Sequence, residues 1–175
     1  PEETFKKFEA LPTYERDVEK FINPFKTFWQ ARYYKSLFNI QIDDERRNQI
    51  SINYLEGLEW TMKYYTTNCP DWRWCYKYNY PPLLEDLYKN IPNIDVNILK
   101  VQDPDPVSPL VQLCYVLPKS SIGLLPERIH NLIVSKHMHL YKNDCNFIWS
   151  FCKYFWESHV ELPEIDISEL EEIVK

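Results

Sequence analysis

The chain has 175 residues, is 45% hydrophobic and 16% aromatic, and carries a net charge of −6. That is ample material for a folded core, and the sign opposes a free-standing nucleic-acid binder, whose affinity rests on neutralised phosphates, although a local basic patch is still allowed. With only two glycines, Gly57 and Gly123, the chain has no dinucleotide fingerprint, phosphate-binding loop or nucleophile elbow.

The charged opening PEETFKKFEA reads as peripheral, and residues 1–30 as a helical or peripheral lead-in. From Tyr14 to Phe38 the pattern predicts one or two helices, interrupted at Asn23-Pro24. The clearest helix follows: Asp43, Asp44 and Glu45 at its start suit the macrodipole, and Ile50, Tyr54, Leu55, Leu58, Met62 and Tyr65 make one apolar stripe. Pro81-Pro82 then introduces a short helix expected to bury Leu83, Leu84, Leu87 and Tyr88. Residues 92–107 read as a proline-rich connector, with an extended piece at Val96–Leu99 and a solvated turn at Asp103-Pro104-Asp105. Ser108-Pro109 is an N-cap and first-turn pair for a helix that turns Leu110, Leu113, Cys114 and Leu117 inward and stops at Pro118. Another short helix starts at Pro126, and Asp166 with Glu169 resembles a capping box before the apolar face Ile167, Leu170, Ile173 and Val174. The expected fold is mainly α, an irregular proline-rich helical domain.

The five cysteines are odd in number, irregularly spaced and without a C-x-x-C pair, so they read as reduced, mostly packed thiols of an intracellular protein. No apolar run approaches the ~20 residues of a membrane span. With Pro1 at its start and no targeting segment, the chain reads as a piece of something longer. His137, His139, Cys145 and Cys152 match no tight zinc pattern, and nothing local supports Cys75 or Cys114 as a nucleophile. The acids look like helix starts and turns, so no catalytic residue and no metal ligand is assigned to the chain itself.

The stretch CPDWRWCYKYNYPP, residues 69–82, stands apart. If it is extended, Trp72 and Trp74 share one side and Arg73 faces the other, which suits bases stacked on rings with charges near phosphates. A proline-rich corner of the core, with Tyr and Trp bridging to water, accounts for the same residues.

Around this stretch the words resemble a family. Tyr54, Glu56, Gly57, Leu58, Trp60, Tyr64, Tyr65, Cys69, Trp72, Trp74, Tyr76, Tyr78, Tyr80 and Pro82 match the second conserved region of the Xrn/Rat family of 5′→3′ exoribonucleases. RYYKSLF upstream, PVSPLVQLCYVLPKSSIGLLPERIHNLI downstream, and LYKNDCNF with WESHVELPEID near the end are similar to further blocks in family order, so the likeness runs over residues 31–175. Glu56, Gly57, Trp60, Pro118, Trp156 and Pro163 fall on its structural positions. Four positions depart: Asn79 stands where the family pattern has His, Pro81 where it has Ala, and Lys77 and Lys142 where it has Pro.

The resemblance implies part of an enzyme that removes nucleotides from single-stranded RNA bearing a 5′ monophosphate. Mg2+ or Mn2+ would be bound by a catalytic α/β first region that is absent from this chain, and none by this segment. The helical region would pack around that first region and line the active-site pocket. Trp72, Trp74, Arg73, Tyr76 and Asn79 are the pocket or RNA-stacking candidates. Alone, the segment would be inactive and would expose a large apolar docking face. The competing expectation is a catalytically inactive interaction module that keeps the same fold, which the charge of −6 and the lost His allow.

Overall fold

In the computed structural model, residues 16–92, 96–102 and 105–175 are described. The opening PEETFKKFEA, and Asp103 and Pro104 of the predicted solvated turn, lie outside them. The chain is mainly helical and divides into two compact units. The first comprises the described residues up to Asp105 together with Trp149–Glu157, and the second Pro106–Ile148 together with Ser158–Lys175.

The first unit holds α1 (Asp17–Ile22), α2 (Trp29–Phe38), α3 (Asp44–Thr66) and α4 (Leu84–Lys89), with a 3-10 turn at Phe155–Glu157. The corner between α1 and α2 contains the expected break at Asn23-Pro24. Arg32 closes it, donating from its guanidinium to the carbonyls of Phe21, Ile22 and Thr27 at 2.8–2.9 Å. Those of Phe21 and Ile22 are carbonyls a helix end leaves without intrahelical partners, and that of Thr27 lies in the turn itself. The corner also forces Phe28 into the left-handed region at φ 62°, a conformation that costs a bulky residue of the order of 1–2 kcal/mol.

Helix α3 starts as its charges predict, with the Asp43 carboxylate accepting from the Arg46 N–H at 2.8 Å. Ile22, Tyr33, Tyr34 and Ile50 form the buried core, with Phe38, Tyr78 and Leu83 packed against it. Through this core runs a polar thread. The Tyr34 hydroxyl donates to Asp86 Oδ2 at 2.7 Å and accepts from the Leu83 N–H at 3.1 Å, and Arg47 meets both Asp86 oxygens at 2.8 and 2.9 Å.

That thread corrects the face expected of α4. Asp86 is the residue turned inward, at 3% exposure, while Leu84 and Tyr88 stand 82% and 78% exposed. The stripe on α3 is also buried only in its first half. Ile50 is inside, but Leu58, Met62 and Tyr65 are exposed. Residues 96–100 form no strand. They are held instead by Glu59, whose Oε2 accepts from the N–H groups of Ile98 and Leu99 at 2.8 and 2.9 Å. Burial alone would raise the Glu59 pKa. The Lys63 ammonium and the two amides outweigh it and hold the carboxyl below its ordinary 4.5.

The second unit holds α5 (Pro109–Val116), a 3-10 turn (Lys119–Leu124), α6 (Glu127–Leu132), a π turn (Ile133–His137), a 3-10 turn (Met138–Leu140), and α7 (Ile167–Val174). It also contains a small antiparallel pair that the sequence reading does not foresee. Strand β1 (Asn146–Ile148) lies against β2 (His159–Glu161), with Phe147 opposite Val160. Ser108 caps α5 and Pro109 opens it, as expected, but Val111 rather than Leu113 takes the inward place beside Cys114. Leu170 and Ile173 of α7 pack with Ile129, Ile133 and Leu140. The capping box on α7 is half made. Asp166 accepts from the Ser168 N–H, while Glu169 pairs instead with His137 Nδ1 at 2.7 Å. Among the described residues no helix is long and apolar enough to cross a membrane.

Candidate nucleic-acid interface

One face of α3 forms the floor of the site. Asn53, Gly57, Trp60 and Tyr64 recur every three or four residues and therefore line up along the helix. The segment 69–82 runs over them with neither helix nor strand. What fixes it is Asp71, 3% exposed. Its Oδ1 accepts from the Arg73 N–H at 2.8 Å, its Oδ2 from the Gln102 N–H at 3.0 Å, and its main-chain carbonyl from Trp60 Nε1 at 2.8 Å.

The turn closed by the Asp71 side chain bends the chain, so Trp72 and Trp74 do not share a side as an extended strand would require. Trp72 points outward, 56% exposed. Trp74 lies over Gly57 and stacks on Trp60 at 6.2 Å and 23°, and Trp60 stacks in turn on Tyr64 at 5.2 Å and 8°. A Cβ at position 57 would sit 2.7 Å from Trp74 Cη2, so the stack requires glycine there. Glycine Gly57 is thus a close-approach residue, and Glu56 beside it is held by Asn53 Nδ2 at 2.9 Å.

Beyond Trp74 the side chains alternate. Cys75, Lys77 and Asn79 face solvent, while Tyr76, Tyr78 and Tyr80 turn in. Tyr76 packs edge-on against Tyr54 and Tyr78, and its hydroxyl donates to the Tyr80 carbonyl at 2.7 Å. Tyr80 is buried and donates to the Ser150 carbonyl at 3.1 Å, and Tyr33 donates to the Pro81 carbonyl at 2.8 Å. Burial raises all of these phenols: Tyr33 and Tyr80 are pushed up to about 12, and Tyr76 moves in the same direction. A phenol whose folded pKa exceeds its unfolded value of about 10 contributes stability that is intact below that value. It is lost as pH climbs from about 10 through about 12. An alkaline titration should therefore show these tyrosinates appearing together with loss of helical circular dichroism. Tyrosinate absorbance complete near pH 10 with the helix signal intact would contradict the packing.

Arg73, Lys77 and Lys100 line one cleft of about 210 Å³ with Trp74, Gln102 and the carboxylates of Glu56 and Asp71. Arg73 is half-buried and donates from Nε to the Asp105 carbonyl at 3.4 Å. Lys77 and Lys100 are absent from the sequence-derived candidates. Lys77 is visible in the sequence as a basic residue between Tyr76 and Tyr78 and as a departure from the family pattern. Lys100 had no local signal, because the anchoring of Ile98 and Leu99 on Glu59 brings it into the cleft. Asn79, by contrast, is exposed and does not line the cleft.

The remaining positions lie elsewhere. Trp156 is 71% exposed and stacks on Tyr154 at 5.6 Å and 10°. Pro118 and Pro163 both line an apolar cavity of about 260 Å³ in the second unit. Cys114 is fully buried, and burial raises its thiol pKa, the reverse of what a nucleophile needs. Cys152 Sγ is engaged with the Glu157 carbonyl at 3.3 Å. Among the described residues no three His, Cys, Asp or Glu side chains converge as metal ligands would.

The chain matches the family model of the Xrn1 helical domain over residues 4–175. It is 30% identical over 162 residues to 5′-3′ exoribonuclease 2 of Schizosaccharomyces pombe, covering 90% of this chain and 16% of that protein. The protein of the same name from Gallus gallus is 31% identical over 152 residues, 85% of this chain and 16% of its own length. That from Aspergillus oryzae is 34% identical over 139 residues, 77% and 13%. The chain thus spans 13–16% of these relatives.

Proposed function

Because the chain belongs to the Xrn1 helical-domain family, we propose that it is part of a 5′→3′ exoribonuclease that degrades single-stranded RNA carrying a 5′ monophosphate. The observation that carries this reading is the family match over residues 4–175, joined to relatives named as 5′-3′ exoribonucleases. Hydrolysis, and the Mg2+ or Mn2+ it uses, belong in this reading to a separate α/β catalytic region. The present chain orders the substrate inside the cell, as a wall of the active-site pocket.

The geometry supports this division of labour. Trp72, exposed on a turn that Asp71 holds shut, offers a free ring face to an unpaired base. Trp74 is held against Gly57 and Trp60 and forms the rigid side of the cleft, with the Arg73 charge beside it. A base must be unstacked to meet such rings, which favours single strands. The uncovered row Leu58, Met62 and Tyr65 on α3 is an apolar surface of the kind that marks an interface. The relatives are about six times longer than the stretch matched, so the catalytic region is the occupant we assign to it.

The test uses the full-length gene product with Mg2+ and short RNAs bearing either a 5′ monophosphate or a 5′ triphosphate. Processive loss of the monophosphorylated single strand alone is expected. In the Trp72→Ala variant, affinity for that RNA should fall by about 1–3 kcal/mol, the usual worth of one base–aromatic stack. Its thermal midpoint should hardly move, because the ring is exposed. Equal decay of both RNAs, or none by the full-length protein, would refute the reading.

A further inference from the structure

The whole-chain charge of −6 does not hold locally. Around the cleft beside Trp74 stand Arg73, Lys77 and Lys100 against Glu56 and Asp71. The Asp71 carboxylate is engaged at both oxygens, by main-chain N–H groups, and that of Glu56 at one, by Asn53. A ligand therefore meets little acceptor surface from the acids. The ammonium groups are in the opposite condition. Lys77 and Lys100 are exposed, and among the described residues neither has an ion-pair partner. Each backbone is nevertheless anchored nearby. The Lys77 N–H donates to Asn53 Oδ1 at 3.0 Å, and Lys100 follows the two amides clamped by Glu59. Flexible cations on a fixed main chain, at the edge of a rigid indole, suit consecutive phosphates of a strand whose base lies near the ring.

We infer that Lys77 and Lys100 form a backbone-phosphate seat beside Trp74, with Lys77 a positioning residue that the family pattern, which has proline there, does not supply. The inference rests on the exoribonuclease reading, since it takes single-stranded RNA as the ligand. Phosphate contacts hold register without reading sequence, so the effect should be uniform across RNA sequences. Each ammonium that releases one counterion on binding should contribute about 0.7 to the slope of log affinity against log salt for a single strand.

The experiment measures binding of a 5′-monophosphorylated single-stranded RNA to the full-length protein over a salt series without divalent metal. The proteins are wild type, Lys77→Ala, Lys100→Ala, the double variant and Lys77→Arg. Each alanine variant should bind about three- to tenfold more weakly and lose about 0.7 from the slope, and the double variant about 1.4. Lys77→Arg should restore the wild-type slope. A merely structural role would lower thermal stability and leave the slope unchanged. Wild-type binding with slopes unaltered in the double variant overturns the seat while leaving the exoribonuclease reading intact. Failure of the wild type to bind or degrade any RNA overturns both.

Discussion

Asp86→Ala should destabilise the protein by about 3–5 kcal/mol, the range found when one partner of a buried ion pair is removed. The carboxylate is 3% exposed and takes three short contacts, one from Tyr34 and two from Arg47. Without it, the fully buried Tyr34 hydroxyl loses its acceptor, and a partly buried guanidinium loses its counter-charge. Asp86→Asn keeps the shape and one acceptor, so it should cost less than alanine. Tyr34→Phe, which strands the Leu83 N–H and one carboxylate lone pair, should cost about 1–3 kcal/mol. Urea unfolding followed by tryptophan fluorescence reads all three. A loss below about 1 kcal/mol for the alanine variant would mean that water replaces the carboxylate, and that α4 is not tied to α2 and α3 through it.

The second large effect is expected at Gly57. In a helix interior, alanine is normally about 1 kcal/mol better than glycine. Here the added Cβ would fall 2.7 Å from the Trp74 ring, whose stacking on Trp60 limits its retreat. Overpacking of this kind costs about 1–3 kcal/mol, enough to reverse the propensity gain. Gly57→Ala should therefore lower stability slightly or not raise it. It should also weaken single-stranded RNA binding by the full-length protein about tenfold or more, since the cleft wall moves with the indole. The diagnostic is a double variant. Adding Trp74→Leu removes the ring that clashes, so the stability costs of the two changes should fail to add. Gly57→Ala that is about 1 kcal/mol more stable, with full RNA affinity, would show that the close approach is not required.

What the sequence made legible was local chemistry. Asp43, Ser108 and Pro109 mark their helix starts because a cap is decided within four residues. The apolar face of α7 is likewise readable, since Leu170 and Ile173 have a single core to face. Periodicity misled where a helix face is uncovered among the described residues. The α3 stripe is real as a pattern, yet among the described residues only its first half is covered. It failed again at α4, where a buried carboxylate, satisfied by residues roughly forty and fifty positions earlier, decided which side turned inward. The β1–β2 pair joins segments of three residues each, too short to show alternation. At the site, the aromatic stretch and Gly57 were conspicuous in the sequence. The separation of Trp72 from Trp74 depends on one side-chain-closed turn at Asp71, and Lys100 arrives through a contact with Glu59 that no spacing rule predicts.

The path of the chain between its two units bears on how the protein can be made and cut. The first unit is closed by Trp149–Glu157, which supplies the Ser150 carbonyl under Tyr80 and the Phe151 N–H that meets Glu19. The second unit is likewise interrupted by that return segment. No single cut releases either unit whole, and a ribosome must pass Glu157 before the first unit can close. Truncation at the end of α4, natural or by a protease, would leave Tyr80 without its acceptor rather than yield a smaller stable domain.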